Sequence, residues 1–324
     1  MTKNITSLVF PKIGIGCWSY GGGDYWGDQT QSDVDAVANA ALDAGINFFD
    51  TAEGYNDGRS EEALGIALRH RRQEALIGTK TADINPATLS KQVENSLRRL
   101  QTDYIDLYMI HWPDPKYPAD EIFETLTQLK TEGKIRAIGV CNYGHQQLSE
   151  GLSYGAPIET NQLCYNLLSR GIELDILPLC HQHQIGILAY MPLLQGILAD
   201  RFRSVEEIPP QQSRFRHFRP DREMSKHEET GAEIEFWQTL EQIRQICREE
   251  NQPMSQLAIA WVMAKSAVSC VLVGTRNKTE LTKNLETISY VMTADLEAKL
   301  DSVTAPLLKK MGGNADYFWA TRTQ

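Results

Sequence analysis

Four residues of unlike chemistry stand at or just beyond the ends of three short apolar runs. Asp50 closes the run in "GINFFDTAEGYNDGRSEEALG" and Tyr55 follows five positions later; Lys80 ends "LIGTK", and His111 follows "DYIDLYMI". An acid, a phenol, an amine and an imidazole together suit the reversible protonation of a carbonyl oxygen. A free tyrosine, with a pKa of about 10, exchanges protons poorly at neutral pH unless a cation stabilises its phenolate. Lys80 supplies that cation. A buried lysine keeps its proton only beside an opposing charge, which gives Asp50 a reason to end a buried run. A neutral His111, donating from one ring nitrogen, orients the substrate oxygen, and Tyr55 is left as the general acid–base. Alone, each residue has an ordinary use, as a helix cap, a loop aromatic, a solvated charge or a core histidine. The set at matching strand ends carries the reading.

These side chains meet only if the elements between them bring three strand ends to one face. Short runs rich in Val, Ile and Tyr recur at Ile13–Cys17, Asn47–Thr51, Ala75–Thr79, Ile105–Ile110, Ala137–Cys141, Thr160–Cys164, Gly186–Tyr190 and Cys270–Val273. Amphipathic stretches lie between them: Asp33–Ala44, Glu61–Arg69, Pro86–Leu100, Ile122–Thr131, a short one after Gly144, Leu174–Gln182, and several beyond Gly231. Strand and helix in alternation mean a parallel sheet, and eight such units close into a (β/α)8 TIM barrel. An open dinucleotide-binding sheet would need a GxGxxG turn opening a helix, and "GIGCWSYGGG" has neither the spacing nor the helix. Barrel sites lie at the C-terminal strand ends. The polar residues there are Cys17 and Trp18, Asp50 and Tyr55, Lys80, His111, Cys141 and Asn142, Gln162, Tyr190, and Gly274 to Arg276.

With 42 acidic against 32 basic residues the chain carries a net charge of −10, which excludes nucleic acid and an anionic membrane surface as natural partners. The six cysteines are scattered without a CxxC pair, which fits reduced thiols in the cytoplasm. No stretch offers the apolar length of a membrane span. His181 and His183 imitate a metal-ligand spacing but have no carboxylate cluster beside them, so no metal is expected.

In order along nearly the whole chain, "GINFFDTAEGYNDGRSEEALG", "LIGTK", "DYIDLYMIHWPDP", "RAIGVCNY", "NQLCYN", "LAYMPLLQGIL" and "VLVGTRNKTEL" resemble the successive signatures of the aldo-keto reductase superfamily. The flavour is that of bacterial sugar-, inositol- and methylglyoxal-type reductases and of potassium-channel β subunits. The resemblance implies a barrel that binds NADP(H), with NAD(H) left open, in extended form without a Rossmann domain, and it implies the tetrad Asp50, Tyr55, Lys80 and His111. It places Cys17, Trp18 and Asp50 near the cofactor, and Asn142 and Gln162 on the nicotinamide carboxamide. Tyr190 lies under the ring, Leu193, Gln195 and Gly196 at the pyrophosphate, and Gly274, Thr275, Arg276, Glu280 and Asn284 around the adenosine end. Cys141 and Met191 stand where serines are usual, and Glu280 where many members carry arginine or glutamine, a carboxylate that opposes a 2′-phosphate while Arg276 supports one.

We expect one domain over 1–324, with a long loop 194–230 and a tail 306–324. The loop, "QQSRFRHFRPDRE" at its centre, reads as a lid. Phe202, Phe215 and Phe218 would cover apolar parts of the pocket, and Arg201, Arg203, Arg214, Arg216 and Arg219 would lend a positive field for an anionic ligand. Trp18, Tyr25, Trp26, Trp112 and Trp319 read equally well as structural packing or as a substrate funnel, the latter joined by Tyr55 and His111. A small carbonyl, sugar or polyol is the expected substrate, and homo-oligomerisation stays open. Two other functions stay open beside carbonyl reduction: a redox-sensing regulatory subunit like the channel β subunits, and a non-redox barrel with lyase or isomerase chemistry.

Overall fold

The structure, a computed structural model, describes residues 8–319. Its elements follow in chain order: β1 Ile13–Gly16, α1 Gln31–Asp43, β2 Phe48–Asp50, α2 Arg59–Leu68, β3 Leu76–Thr81, α3 Pro86–Leu100, β4 Ile105–Ile110 and α4 Ala119–Thr131. The second half continues with β5 Ile135–Cys141, α5 His145–Ser153, β6 Ile158–Cys164, α6 Ile176–Gln182, β7 Gly186–Tyr190, α7 Glu233–Glu249, α8 Met254–Ala264, β8 Val268–Gly274, α9 Lys278–Ile288 and α10 Ala294–Met311. The strands are parallel and close in sequence order, β1 pairing with β8 through Ile13 to Val271 and Gly16 to Gly274. This is a (β/α)8 TIM barrel, as the alternation of runs implied.

Local signals explain where the helices start. Thr30 caps α1 in a reciprocal box with Asp33, so the aspartate taken from sequence as the helix start is the third residue of the first turn. Asn85 accepts from Ala87 N at 3.1 Å and Pro86 follows it, its missing N–H being one the helix would leave unpaired anyway.

The strand period of two sorts the core into layers. Ile13, Ile15, Phe49, Ile77, Tyr108, Ile110, Ile138 and Val140 pack outward among the helices. Phe48, Leu107, Met109, Ala137, Leu188, Cys270 and Leu272 fill the barrel interior as a separate apolar cluster. Phe48 fits there because Gly14 and Gly78 flank it: a Cβ on either would lie 2.8 or 2.9 Å from its ring. Two residues beyond this layer, on the same parity, each strand presents its next inward side chain.

Two expectations change. The tail begins later than Pro306, because α10 runs on to Met311 with the proline inside it; buried Leu300 and Leu307 continue one apolar face across the break. The segment 194–230 is no loose polar lid. Phe215 and Phe218 are fully buried, Phe218 against Phe236 of α7 at 4.9 Å, so they belong to the core and not to a pocket cover. Nor do its arginines make a common positive field: Arg203 pairs with Asp200, Arg216 with Glu229, and Arg219 with Asp221 and Glu233.

This segment clasps the tail. Arg216 N donates to Tyr317 O at 2.9 Å and its Nη1 to the carbonyls of Asn314 and Asp316, while His217 stacks on Tyr317 at 5.0 Å. The Tyr317 hydroxyl accepts from Gly171 N. Replacing Arg216 by methionine strips carbonyls of a charged donor, and we expect a loss of ~2 kcal/mol in urea unfolding. Unchanged stability would mean that backbone bonds alone hold the tail.

Candidate active site

The inward parity sets the site. Asp50 lies two residues past Phe48, Lys80 pairs in register with Met109, and His111 lies two residues past Met109. Cys141 pairs with Gln162, and Tyr190 lies two residues past Leu188. An apolar plug thus carries a polar layer on its C-terminal side. Lys80 is not beyond its strand as read from sequence but inside it, since β3 runs on to Thr81.

Lys80 is fully buried, and Asp50 is 4% exposed. The ammonium donates to both Asp50 oxygens at 2.8 and 2.9 Å and to Thr51 O at 2.8 Å, which uses all three of its protons. Gln162 Nε2 adds a 2.6 Å bond to Asp50 Oδ1. Burial works most strongly against the Lys80 charge, but Asp50, Tyr55 and Cys141 together outweigh it and the lysine pKa is raised. The Tyr55 ring stands over this cation, 4.9 Å from Nζ to its centroid. Burial drives the Tyr55 pKa up; Lys80 pulls against that rise and Asp50 adds to it. His111 meets Tyr55 edge-on at 5.9 Å. Burial, then the nearby Lys80 charge, lower its pKa to about 3, so the imidazole is neutral at physiological pH. The four residues singled out from the sequence are therefore in one place.

Tyr55 comes from a turn in which Asn56, Asp57 and Gly58 are all left-handed, with φ of 51°, 56° and 87°. Asparagine and aspartate tolerate this conformation better than most residues, and Gly58 also leaves room for the Arg99 side chain. Sequence reasoning missed what holds the turn. Asn56 Nδ2 donates to the carbonyls of Trp18 and Tyr20 at 2.9 and 2.8 Å, and Ser60 links Thr51 to Cys17 O. The "YNDG" run was the available signal.

The residues assigned by resemblance to a cofactor divide in two. Asn142 and Gln162 lie beside the polar layer and are engaged with it: Tyr190 donates to Asn142 Oδ1 at 2.6 Å, and Asn142 Nδ2 donates to His111 O. The Cys141 thiol donates to Gln162 Oε1 at 3.5 Å, and Cys17 is wholly buried, bonded within its own strand end. Leu193, Gln195 and Gly196 form a tight turn after β7, with Gln195 and Gly196 at φ 52° and 95°. At the end of β8, Gly274 is exposed and Asn284 donates to Thr275 Oγ1 at 2.9 Å. Glu280 spends its carboxylate on Arg276 N at 2.8 Å and Asn277 Nδ2, closing the turn into α9. Gln29 joins the two edges by donating to Arg276 O.

Along this groove Trp26 Nε1, Gln195 Nε2 and Arg276 Nε are buried with no partner among the described residues. Buried donors are normally satisfied, and three unspent N–H groups between the β1, β7 and β8 ends fit an elongated anionic molecule such as a dinucleotide. Of the expected funnel, Trp18 stacks on Tyr25 at 5.0 Å and meets Trp26 and Tyr55 at 5.1 and 6.0 Å. Trp112 faces Phe318 and Trp319 of the tail at 6.0 and 5.6 Å. Among the described residues no helix is long and apolar enough to cross a membrane.

The sequence profile of the Aldo/keto reductase family matches residues 12–305. The chain is 31% identical to the aldo-keto reductase YhdN of Bacillus subtilis, across 92% of this chain and 91% of that one. It is also 31% identical to the NADH-specific methylglyoxal reductase of Escherichia coli, across 94% and 96%. Among solved structures, an aldo-keto reductase from Klebsiella pneumoniae in complex with NADPH superposes with a TM-score of 0.71 at 29% identity, covering 97% of this chain and 95% of that one.

Proposed function

Since the chain belongs to the Aldo/keto reductase family, we propose that it reduces small aldehydes or ketones to alcohols with NADP(H), accepts NAD(H) more weakly, and runs the reverse oxidation of alcohols or polyols. The observation that carries this reading is the Asp50–Lys80 ion pair placed under the Tyr55 ring with a neutral His111 at its edge. The NADPH complex of one relative and the NADH specificity of another support both cofactors as candidates. The nicotinamide supplies the hydride. Asn142 and Gln162 would hold its carboxamide, Tyr190 would pack on its ring, Gln195 and Gly196 would meet the pyrophosphate, and Arg276 would meet the adenosine side.

This chain's own residues manage the proton. In reduction Tyr55 gives its hydroxyl proton to the carbonyl oxygen as negative charge builds there, and in oxidation the phenolate takes it back. Lys80 stabilises the phenolate, and Asp50 keeps Lys80 charged in a site that would otherwise strip its proton. His111, donating from a neutral ring, fixes the substrate oxygen between itself and Tyr55. The aromatic mouth excludes water, which strengthens each of these interactions. Steady oxidation of NADPH by a panel of small aldehydes and ketones tests the reading; binding of the cofactor with no turnover on any of them would favour the regulatory alternative.

Cofactor choice gives a second test. A guanidinium matches a phosphate with two parallel hydrogen bonds, and the Arg276 Nε is unspent while its Nη2 rests on Asp28 O at 3.0 Å. Arg276→Ala is expected to weaken NADPH by roughly 10-fold or more, from the loss of a charged hydrogen bond, and NADH much less. Glu280→Gln keeps an acceptor for Arg276 N but removes a negative charge, and should tighten NADPH. Equal losses for both cofactors in the Arg276 variant would place the arginine on a shared part of the dinucleotide.

A further inference from the structure

The mouth above Tyr55 is a closed circuit of aromatic contacts interrupted by one cation. On one side the circuit runs from Tyr55 through Trp18 to Tyr25, at 6.0 and 5.0 Å. On the other it runs from Tyr55 to His111 at 5.9 Å, and from the adjoining Trp112 to Phe318 of the tail at 6.0 Å. Arg214 joins the two arms: its Cζ lies 5.6 Å from the ring centroids of both Tyr25 and Phe318. It therefore closes the ring of contacts that begins and ends at the tyrosine.

Arg214 differs from the other arginines of its segment. Arg203, Arg216, Arg219 and Arg222 each have carboxylate partners, and Arg201 is exposed. Arg214 is half-buried, and among the described residues no carboxylate lies within ion-pair distance of it. Its neighbours in the chain are fixed: Ser213 and Phe215 are buried, and Arg216 is clasped to the tail. The guanidinium is thus pre-positioned, flanked by rings that limit its hydration, with its charge uncompensated. Arginine in such a setting presents a planar fork that matches a carboxylate, and the low dielectric of an aromatic enclosure strengthens the pair.

We infer that Arg214 recognises a carboxylate on the substrate, so that the preferred substrates are aldehydes or ketones carrying an acid group at the end remote from the carbonyl. This rests on the carbonyl-reduction reading: one end of the substrate meets Tyr55 and His111, and the other meets Arg214. A single guanidinium balances one negative charge, which favours a carboxylate over a phosphate dianion. The aromatic walls between the two ends accommodate the apolar spacer of the substrate.

A pair of probes alike in size and unlike in charge tests this: 4-carboxybenzaldehyde and its amide, 4-carbamoylbenzaldehyde, with NADPH. The wild-type protein should show the higher kcat/KM for the acid. In Arg214→Gln the acid-to-amide ratio of kcat/KM should fall by roughly 10-fold to 100-fold, the range for a hydrogen bond to a charged group. A ratio left unchanged by the substitution, or a wild-type preference for the amide, overturns the assignment. So does a rise in the Kd of NADPH with the ratio intact, which would move the guanidinium onto the cofactor. A binding arm separates failure of the inference from failure of the reductase reading. The affinity of 4-(hydroxymethyl)benzoate for the NADP⁺-saturated protein should drop by a similar factor in Arg214→Gln, whether or not either aldehyde is turned over. Retained affinity there overturns the role of Arg214, whereas a wild-type protein that binds the acid but reduces neither aldehyde removes the reductase reading alone.

Discussion

Replacing Tyr55 by phenylalanine should lower kcat by roughly 100-fold to 10,000-fold, the span of a general acid–base contribution, with the Kd of NADPH nearly unchanged. Only the transferable proton is removed. The ring is kept, and with it the contacts to Trp18 at 6.0 Å and His111 at 5.9 Å and the position over Lys80 Nζ. The left-handed turn that follows is held by backbone conformation and by the Asn56 bonds to Trp18 and Tyr20, none of which involves the hydroxyl. Turnover of a small aldehyde and titration of NADPH fluorescence report the two quantities separately. A variant that keeps the wild-type rate would falsify the assignment of Tyr55, and one that loses cofactor affinity together with the rate would show that the phenol has a structural task.

Lys80→Met should be comparably damaging, for two reasons that can be told apart. The first is structural. Asp50 would be left buried with Gln162 as its remaining side-chain donor, and breaking a buried pair from one side costs about 3–5 kcal/mol. The second is chemical. Lys80 opposes the upward drive that burial exerts on the Tyr55 pKa, so its loss sends that pKa higher still. In reduction the protonated phenol is the active form, and the rate falls as pH rises through its pKa; without Lys80 this fall moves to higher pH. In oxidation the phenolate is the active form, and the rising limb moves the same way. The double variant Asp50→Asn with Lys80→Met removes the unpaired charge and should recover most of the stability in thermal unfolding while recovering little of the rate. If the double variant regains activity, or if the pH–rate profile of a folded Lys80→Met protein stays in place, the Asp50–Lys80–Tyr55 relay is wrong.

The barrel and the meeting of Asp50, Lys80 and His111 were legible in the sequence because both follow from local regularities. Runs of Val, Ile and Tyr alternating with amphipathic stretches leave few options but a parallel sheet, and once the strands are placed their period of two puts Phe48 and Asp50, or Met109 and His111, on one side. Tyr55 follows because the "YNDG" turn keeps it next to its strand end. Strand limits were less legible. The run to Thr79 stopped short of Lys80 because a lysine reads as a surface residue until its partner is known, and that partner comes from another strand 30 positions away.

What only the tertiary structure decided is the fate of charges and aromatics in long connections. Six arginines in "QQSRFRHFRPDRE" and its approaches look alike as a string, yet Arg216 is buried on Glu229 and the carbonyls of the tail, Arg203 and Arg219 pair at the surface, Arg222 pairs with Glu233, and Arg214 is turned to the mouth between Tyr25 and Phe318. Glu280, read from sequence as an opponent of phosphate, is held by the backbone of Arg276. The tail carbonyls that Arg216 meets and the rings that flank Arg214 lie on distant parts of the chain, and no period links them. Whether a charge there is solvated, paired or left to meet a ligand depends on the path the chain takes over the barrel, because desolvation and Coulomb attraction act through space and not along the sequence.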